Sequence, residues 1–138
     1  MLQDKFVRGI PCTQNAIDCF SGLWYSAFPQ EFAITAGECN LFCDERLSWA
    51  FSHLQPNNDW DVLELGPLEG GHSYWLEKET NVKRITSIEA NRLCWLRCLV
   101  TKEVVGLKKT QFLLGDFLEY LHNNKKKFDL ALALGVLY

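Results

Sequence analysis

The chain has 138 residues, of which 48% are hydrophobic, and a formal net charge of −3, which suits one globular domain or part of one. Nucleic-acid-binding modules are normally basic, so this charge argues against that class. No apolar run reaches the roughly 18 residues of a membrane span, and residues 1–10 lack the apolar core of a signal peptide. We therefore expect a soluble cytoplasmic protein.

Six cysteines are present, and the pairs Cys39/Cys43 and Cys94/Cys98 are each spaced i, i+4. Structural zinc motifs mostly use closer pairs, matched by a second pair or by histidines. The rest of the chain is too rich in core-forming residues for a small disulfide scaffold. We expect buried or half-buried thiols and no metal site.

Residues 1–58 are predicted to form an N-terminal segment of helices and loops. Helical spacing from Ala16 to Trp24 predicts a first helix with Thr13 as its N-cap. A loop punctuated by Pro29 and Gly37 follows. The stretch "DERLSWAFSHL" predicts a second helix with Asp44 as its candidate N-cap.

Residues 59–138 alternate short apolar runs with helical patterns. The predicted strands are "WDVLEL", "KRITSIEA", "TQFLLG" and "FDLALALGVLY", and the helices between them are "HSYWLEKET", "NRLCWLRCLVTKEVVG" and "DFLEYLHNNKKK". Strands that alternate with helices indicate a parallel sheet covered on both faces. In the longest helix, the apolar stripe is predicted to contain Leu93, Leu96, Val100 and Val104, and Gly106 suits its end.

The glycine turn "GPLEGG" separates the first strand from its helix, so its backbone N–H groups and the helix dipole can face a ligand. Glu89 ends the second strand, where a carboxylate can bind ribose hydroxyls. Asp116 follows the third strand, and with Phe117 it suits an adenine amine and ring. The alternatives are a tight structural turn, a solvated Glu89 and an ordinary N-cap at Asp116. Three such features at successive strand ends favour a nucleoside site.

The turn lacks the middle glycine of the dinucleotide fingerprint G-x-G-x-x-G. Glu69 is predicted to carry its charge where a pyrophosphate would lie, and Glu64 is a second acid just before the turn. Acidic groups at the strand tip favour a cationic ligand. These residues point to S-adenosylmethionine, which has an adenosine, a sulfonium and an amino group but no phosphate.

Four stretches between residues 60 and 138 carry a family resemblance. "VLELGPLEGGHS" resembles the first motif of class I S-adenosylmethionine-dependent methyltransferases, E/D-x-G-x-x-x-G. "ITSIEAN" resembles their second motif, "LLGDF" their third, and "FDLALALGVLY" their fourth strand. "FSGLW" and "AGECNLFCDERLSWA" resemble the leader of a methyltransferase subgroup. The resemblance implies a Rossmann-like three-layer α/β sandwich with strand order 3-2-1-4 and S-adenosylmethionine as the cofactor.

The resemblance also implies roles for individual positions. The methionine end of the cofactor lies near the first strand and its turn, the ribose near the second strand, the adenine near the third, and the sulfonium near the fourth. The implied cofactor-binding residues are Glu64, Leu65, Gly66, Pro67, Gly70, Glu89, Ala90, Asn91, Asp116, Phe117, Leu134 and Gly135. Leu68 stands where many members have glycine, so this turn is bulkier.

No catalytic residue can be assigned from the sequence, and the two candidates are His72 and Tyr138. The aromatic residues Trp24, Phe32 and Phe42 either close over the cofactor or pack on the sheet. The methyl acceptor is an unidentified small molecule or other substrate. The alternatives are a non-catalytic S-adenosylmethionine-binding or assembly protein and a nucleotide-dependent oxidoreductase.

The family sheet has seven strands, and the sequence is predicted to reach only the fourth, so the last three strands of the family are expected to be absent. The apolar fourth strand then becomes an exposed edge, which is an association hazard. We expect a homo-oligomer in which another copy covers this strand.

Overall fold

The computed structural model describes residues 6–136. Helices and strands alternate from residue 61 onward, after an N-terminal part with two helices. In chain order the elements are α1 (Thr13–Asp18), α2 (Glu45–Ser52), β1 (Asp61–Leu65), α3 (Gly71–Glu79), β2 (Arg84–Glu89), α4 (Arg92–Val105), β3 (Thr110–Leu114), α5 (Phe117–Asn123) and β4 (Leu130–Leu132), with short 3₁₀ helices at Gln30–Phe32 and Leu41–Cys43.

The four strands form one parallel sheet in the order β3-β2-β1-β4, which confirms the predicted topology. Val62 of β1 pairs with Ile85 of β2, and both side chains are fully buried. Parallel strands point the same way, so all four carboxyl ends meet at one edge of the sheet. The glycine turn and the start of α4 leave the sheet at that edge.

Helices cover both faces of the sheet, as predicted. On one face, Leu63, Leu65 and Ile88 pack with Phe117 and Tyr120 of α5. The opposite face packs against α3 and α4, with buried clusters built around Trp75, Leu76, Tyr74 and Cys98. Such burial on both faces explains why β1 has apolar side chains at successive positions, Val62 and Leu63, as well as at Leu65.

The N-terminal segment is anchored by aromatic side chains. Trp24 and Phe28 meet edge to face at 5.4 Å between ring centroids, and Phe42 meets Tyr74 of α3 at 5.5 Å. The indole N–H of Trp24 donates to the Ile17 carbonyl at 2.8 Å. Trp24 and Phe42 are therefore core residues and do not line the cavity described below. The division into units 1–58 and 59–138 stays a prediction.

Three predicted features differ from the structure. Helix α1 ends at Asp18 rather than near Trp24, and Cys12, not Thr13, precedes it. On α4 the predicted stripe is wrong at Leu93 and Leu96, which are exposed, because Cys94, Arg97, Cys98 and Thr101 face the interior. The predicted fourth strand shortens to Leu130–Leu132 because the chain then leaves the sheet. Asp44 and Gly106 do cap α2 and α4 as predicted.

Candidate functional site

A cavity of about 530 Å³ opens at the carboxyl ends of β1, β2 and β4. It lies between the glycine turn, the β2–α4 loop, the segment after β4 and parts of the N-terminal segment. Half of the predicted cofactor-binding residues line it, namely Gly66, Pro67, Glu89, Asn91, Leu134 and Gly135. The first, second and fourth strands therefore contribute to one site.

The glycine turn has a left-handed backbone at three alternate positions. The φ angles are +67° at Gly66, +56° at Leu68 and +82° at Gly70. A Cβ atom at Gly66 would collide with the side chain of Val136, so the turn and the segment after β4 approach closely there. Leu68 adopts a conformation that costs a non-glycine residue about 1–2 kcal/mol, which explains why glycine suits this position.

Glu89 connects the turn to the loop after β2. Its carboxylate accepts hydrogen bonds from the backbone N–H of Leu68 at 3.1 Å and of Asn91 at 2.8 Å. The side chain is largely buried yet lines the cavity. Each carboxylate oxygen has a second lone pair, so Glu89 can accept further hydrogen bonds from a ligand while the backbone holds it in place.

Glu64 lies behind the turn and does not line the cavity. One carboxylate oxygen accepts hydrogen bonds from the hydroxyls of Ser73 and Ser87. The other oxygen, Oε1, is buried without a hydrogen-bond partner among the described residues, and the nearest cationic candidate is Nδ1 of His72 at 3.7 Å. A buried carboxylate oxygen without a hydrogen-bond partner is costly, and the ring of His72, which lines the cavity, lies beside this atom.

His72 lines the cavity between two carboxylates. Its Nε2 lies 2.9 Å from Asp44 Oδ2, and its Nδ1 faces Glu64. Hydrogen bonds from the Arg46 guanidinium hold the pKa of Asp44 well below its usual value. Because both ring nitrogens of His72 are directed at acids, the geometry favours a positioning role over proton transfer to or from a substrate.

The remaining predicted residues lie outside the cavity lining. Asp116 accepts a hydrogen bond from Leu118 N at 2.7 Å and caps α5, so the structure shows the N-cap alternative. Phe117 packs in the cluster beneath α5, Leu65 and Gly70 are buried, and Ala90 is exposed. The adenine contact of Asp116 and Phe117 stays a prediction. Tyr138 lies outside the described residues.

The predicted orientation of Glu69 is wrong. Its side chain is fully buried, pairs with Arg97 of α4 at 3.0 Å, and accepts hydrogen bonds from the backbone N–H groups of Tyr25 and Ser26. It does not line the cavity, so its charge gives no reason to exclude a phosphate there. The tight turn after Leu68 directs the Glu69 side chain toward α4. The neighbouring residues in the sequence do not indicate this direction.

Seven cavity residues were not among the predicted site residues: Tyr25, Leu41, Arg46, Leu68, Gly71, Cys94 and Val136. The first two belong to the segment held by Glu69, and Gly37 lets that segment fold tightly because a Cβ atom there would collide with the Tyr25 backbone. Burial raises the pKa of the Cys94 thiol, which keeps it protonated. No sequence signal marked Tyr25, whereas Arg46 follows the predicted cap Asp44 and could have been considered.

Solved structures share this architecture at low sequence identity. The N-terminal domain of EvdMO1, crystallised with S-adenosylhomocysteine and D-fucose, superposes with a TM-score of 0.67 at 21% identity, covering 91% of this chain and 52% of that chain. A putative O-methyltransferase from Klebsiella pneumoniae gives 0.56 at 15% identity, with coverages of 91% and 54%. A methyltransferase from Thiobacillus denitrificans, in complex with S-adenosylhomocysteine, gives 0.52 at 19% identity, with coverages of 88% and 42%.

The chain has the fold of the class I S-adenosylmethionine-dependent methyltransferases. It spans about half the length of these three structures. No protein-family model matches the sequence, and no curated protein matches it.

Further features of the described residues concern membrane spans, metal sites and cysteines. Within residues 6–136, no helix is both long enough and apolar enough to cross a membrane, and no three His, Cys, Asp or Glu side chains are grouped to hold a metal ion. All six cysteines are free thiols. Cys94 and Cys98 are buried as expected, but Cys12, Cys19 and Cys43 are exposed.

Proposed function

We propose that the chain binds S-adenosylmethionine in the cavity at the carboxyl ends of the strands and takes part in methyl transfer to an unidentified acceptor. The observation that carries this proposal is the cavity-lining carboxylate of Glu89, which two backbone N–H groups orient at the end of β2. The fold supports it as well, because two of the structural neighbours were solved with S-adenosylhomocysteine. The volume of about 530 Å³ lies within the usual range for small-molecule sites.

The charges around the cavity suit the parts of this cofactor. Glu89 would accept hydrogen bonds from the ribose hydroxyls, and the buried charge of Glu64, behind the turn, would attract the ammonium group without direct contact. Arg46, which pairs with Asp44, also lines the cavity and would face the carboxylate of the methionine end. A positive charge in the cavity wall and a buried negative charge behind the turn match a zwitterionic amino-acid group.

The cofactor would supply a methyl group on a positively charged sulfur, and the chain would position it. Leu134 and Gly135 form the cavity wall after β4, where the sulfonium is expected. Aligning an acceptor with a reactive methyl group provides much of the rate gain in such a transfer. No residue here needs to act as an acid or base for that alignment.

Calorimetric titration with S-adenosylmethionine, S-adenosylhomocysteine and NAD tests the proposal. We expect the first two to bind and NAD to bind weakly or not at all. Replacing Glu89 by glutamine keeps its shape but removes its charge, and the loss of a charged hydrogen bond of about 1.4 kcal/mol predicts a tenfold weaker affinity. Glu103→Gln, on the exposed side of α4, is the matched control.

Three outcomes would contradict the proposal. They are the absence of binding by either S-adenosyl compound, a preference for NAD, and an unchanged affinity in Glu89→Gln. A preference for NAD would favour the oxidoreductase alternative. The remaining argument against that alternative is that the turn lacks the middle glycine of the dinucleotide fingerprint. Binding without formation of S-adenosylhomocysteine in the presence of a broad set of acceptors would favour a non-catalytic binding protein.

We also propose that the chain forms a homo-oligomer through β4. Among the described residues, β4 pairs with β1 alone, and Leu130 and Leu132 are only half-buried. Apolar strands without a partner on one edge associate readily. Sedimentation velocity at micromolar concentration should show an oligomer, whereas a stable monomer would refute this proposal.

A further inference from the structure

A second concave surface of about 490 Å³ lies at the edge of the sheet opposite the cavity. The amino ends of β2 and β3 and the last turn of α4 form it. Among the described residues, five of those that line it are basic and none is acidic. The lining residues are Lys83, Arg84, Lys102, Lys108, Lys109, Thr110 and Gln111. We call this surface the basic pocket. It concentrates positive charge on a chain whose net charge is −3.

The loop that carries two of these lysines is held in place from behind. Glu77 of α3 accepts hydrogen bonds from the backbone N–H of Lys108 at 2.9 Å and of Lys109 at 2.8 Å, and from the Thr110 hydroxyl at 2.7 Å. Lys102 Nζ donates to the Thr110 carbonyl at 2.5 Å. The loop is therefore ordered before any ligand arrives, which lowers the entropic cost of binding.

Several of the positive charges have no acidic partner. Arg84 pairs with Asp61 at 3.2 Å, but the ammonium groups of Lys83, Lys108 and Lys109 form no ion pair within residues 6–136. These three side chains are exposed and converge on one concavity. Like charges held together repel one another, and an anion that binds several of them relieves the repulsion.

We propose that the basic pocket binds a small molecule that carries two or more linked phosphate groups. Lysine ammonium groups are common partners of phosphate oxygens, and several together favour a ligand with adjacent negative charges. Exposed charges act over a screening length of about 8 Å at physiological salt. A short ligand therefore interacts with the pocket alone, whereas a long nucleic acid would also cross the acidic remainder of the surface.

Calorimetric titration of the full chain with sodium tripolyphosphate and with orthophosphate, at about 0.15 M salt, tests this inference. We expect saturable 1:1 binding of tripolyphosphate, at least about tenfold tighter than orthophosphate, because adjacent phosphates contact several lysines at once. The double variant Lys108→Gln/Lys109→Gln should weaken tripolyphosphate binding about tenfold, a loss that corresponds to one charge-assisted contact.

The double variant Lys125→Gln/Lys127→Gln is the matched control, because it makes the same change in net charge at exposed lysines that do not line the pocket. It should retain the affinity to within about threefold, since distant charges are screened. Absence of saturable binding, or an equal loss in both double variants, would overturn the proposal. The proposal would also be overturned if a single-stranded RNA 20-mer bound more tightly than tripolyphosphate and both double variants weakened that RNA binding. Added S-adenosylhomocysteine should leave tripolyphosphate binding unchanged, and competition between them would place the phosphates in the other cavity.

Discussion

The ion pair between Glu69 and Arg97 is expected to hold the N-terminal segment on the glycine turn. Both side chains are buried, with exposed fractions of 0% and 7%, and the N–O distance is 3.0 Å. Glu69 also accepts hydrogen bonds from Tyr25 N and Ser26 N, and Arg97 lies over the Trp24 ring. Removing one partner of a buried pair leaves an uncompensated charge and costs about 3–5 kcal/mol.

Glu69→Gln and Arg97→Met should therefore each lower the free energy of unfolding by about 3–5 kcal/mol, a large part of the 5–15 kcal/mol typical of a domain. The expected decrease in Tm is about 10–20 °C for a chain of this size. In the double variant neither charge remains, so its cost should fall below the sum of the single costs by about 2–3 kcal/mol.

Urea unfolding monitored by tryptophan fluorescence measures all three values, since Trp24 lies beside the pair. Glu79→Gln, exposed at the end of α3, is the control and should change stability by less than about 0.5 kcal/mol. Strictly additive costs, or single variants as stable as the control, would refute the claim that this pair holds the segment.

Three further predictions concern the cavity walls and the carboxylate of Asp44 that holds two of their side chains. Leu68→Gly should be about 1 kcal/mol more stable than Leu68→Ala in urea unfolding, the reverse of the usual ranking, because φ is +56° at this position; equal stabilities would contradict the left-handed backbone. Gly66→Ala should lose at least about 1 kcal/mol for the same reason, with an added collision with Val136, and a neutral result would contradict the close approach. Asp44 has a lowered folded-state pKa, so its contribution to stability is complete above its unfolded value of 3.8 and is lost as pH falls below it. The stability difference between the wild type and Asp44→Asn should therefore shrink in acid, and a difference that grows would contradict this assignment.

Local patterns in the sequence were sufficient to predict the alternating strands and helices. Each strand from β1 to β3 is a short segment with apolar residues, bounded by a turn, and Asp44 and Gly106 are conventional helix caps, so adjacent residues determine these features. The strand order came from the family resemblance. The site residues nearest the strand ends, such as Gly66 and Glu89, could be predicted because a parallel sheet brings all its carboxyl ends together.

Contacts between distant parts of the chain could not be predicted in this way. Leu93 and Leu96 suggested an apolar stripe on α4, but Arg97 turns inward to meet Glu69, 28 positions away in the sequence, and this rotates the leucines toward solvent. Glu69 was expected beside the ligand because its pairing with Arg97, a distant residue, is not visible in the local sequence. Tyr25 lines the cavity and donates its backbone N–H to Glu69, 44 positions away in the sequence.

A crystal structure of the chain with S-adenosylhomocysteine tests the central claim most directly. We expect the ligand in the cavity between the glycine turn and Leu134, with its ribose hydroxyls bound to the Glu89 carboxylate and its ammonium group near Glu64. A ligand bound elsewhere, a ribose without contact to Glu89, or an empty cavity at saturating ligand concentration would contradict the assignment of this cavity as the cofactor site.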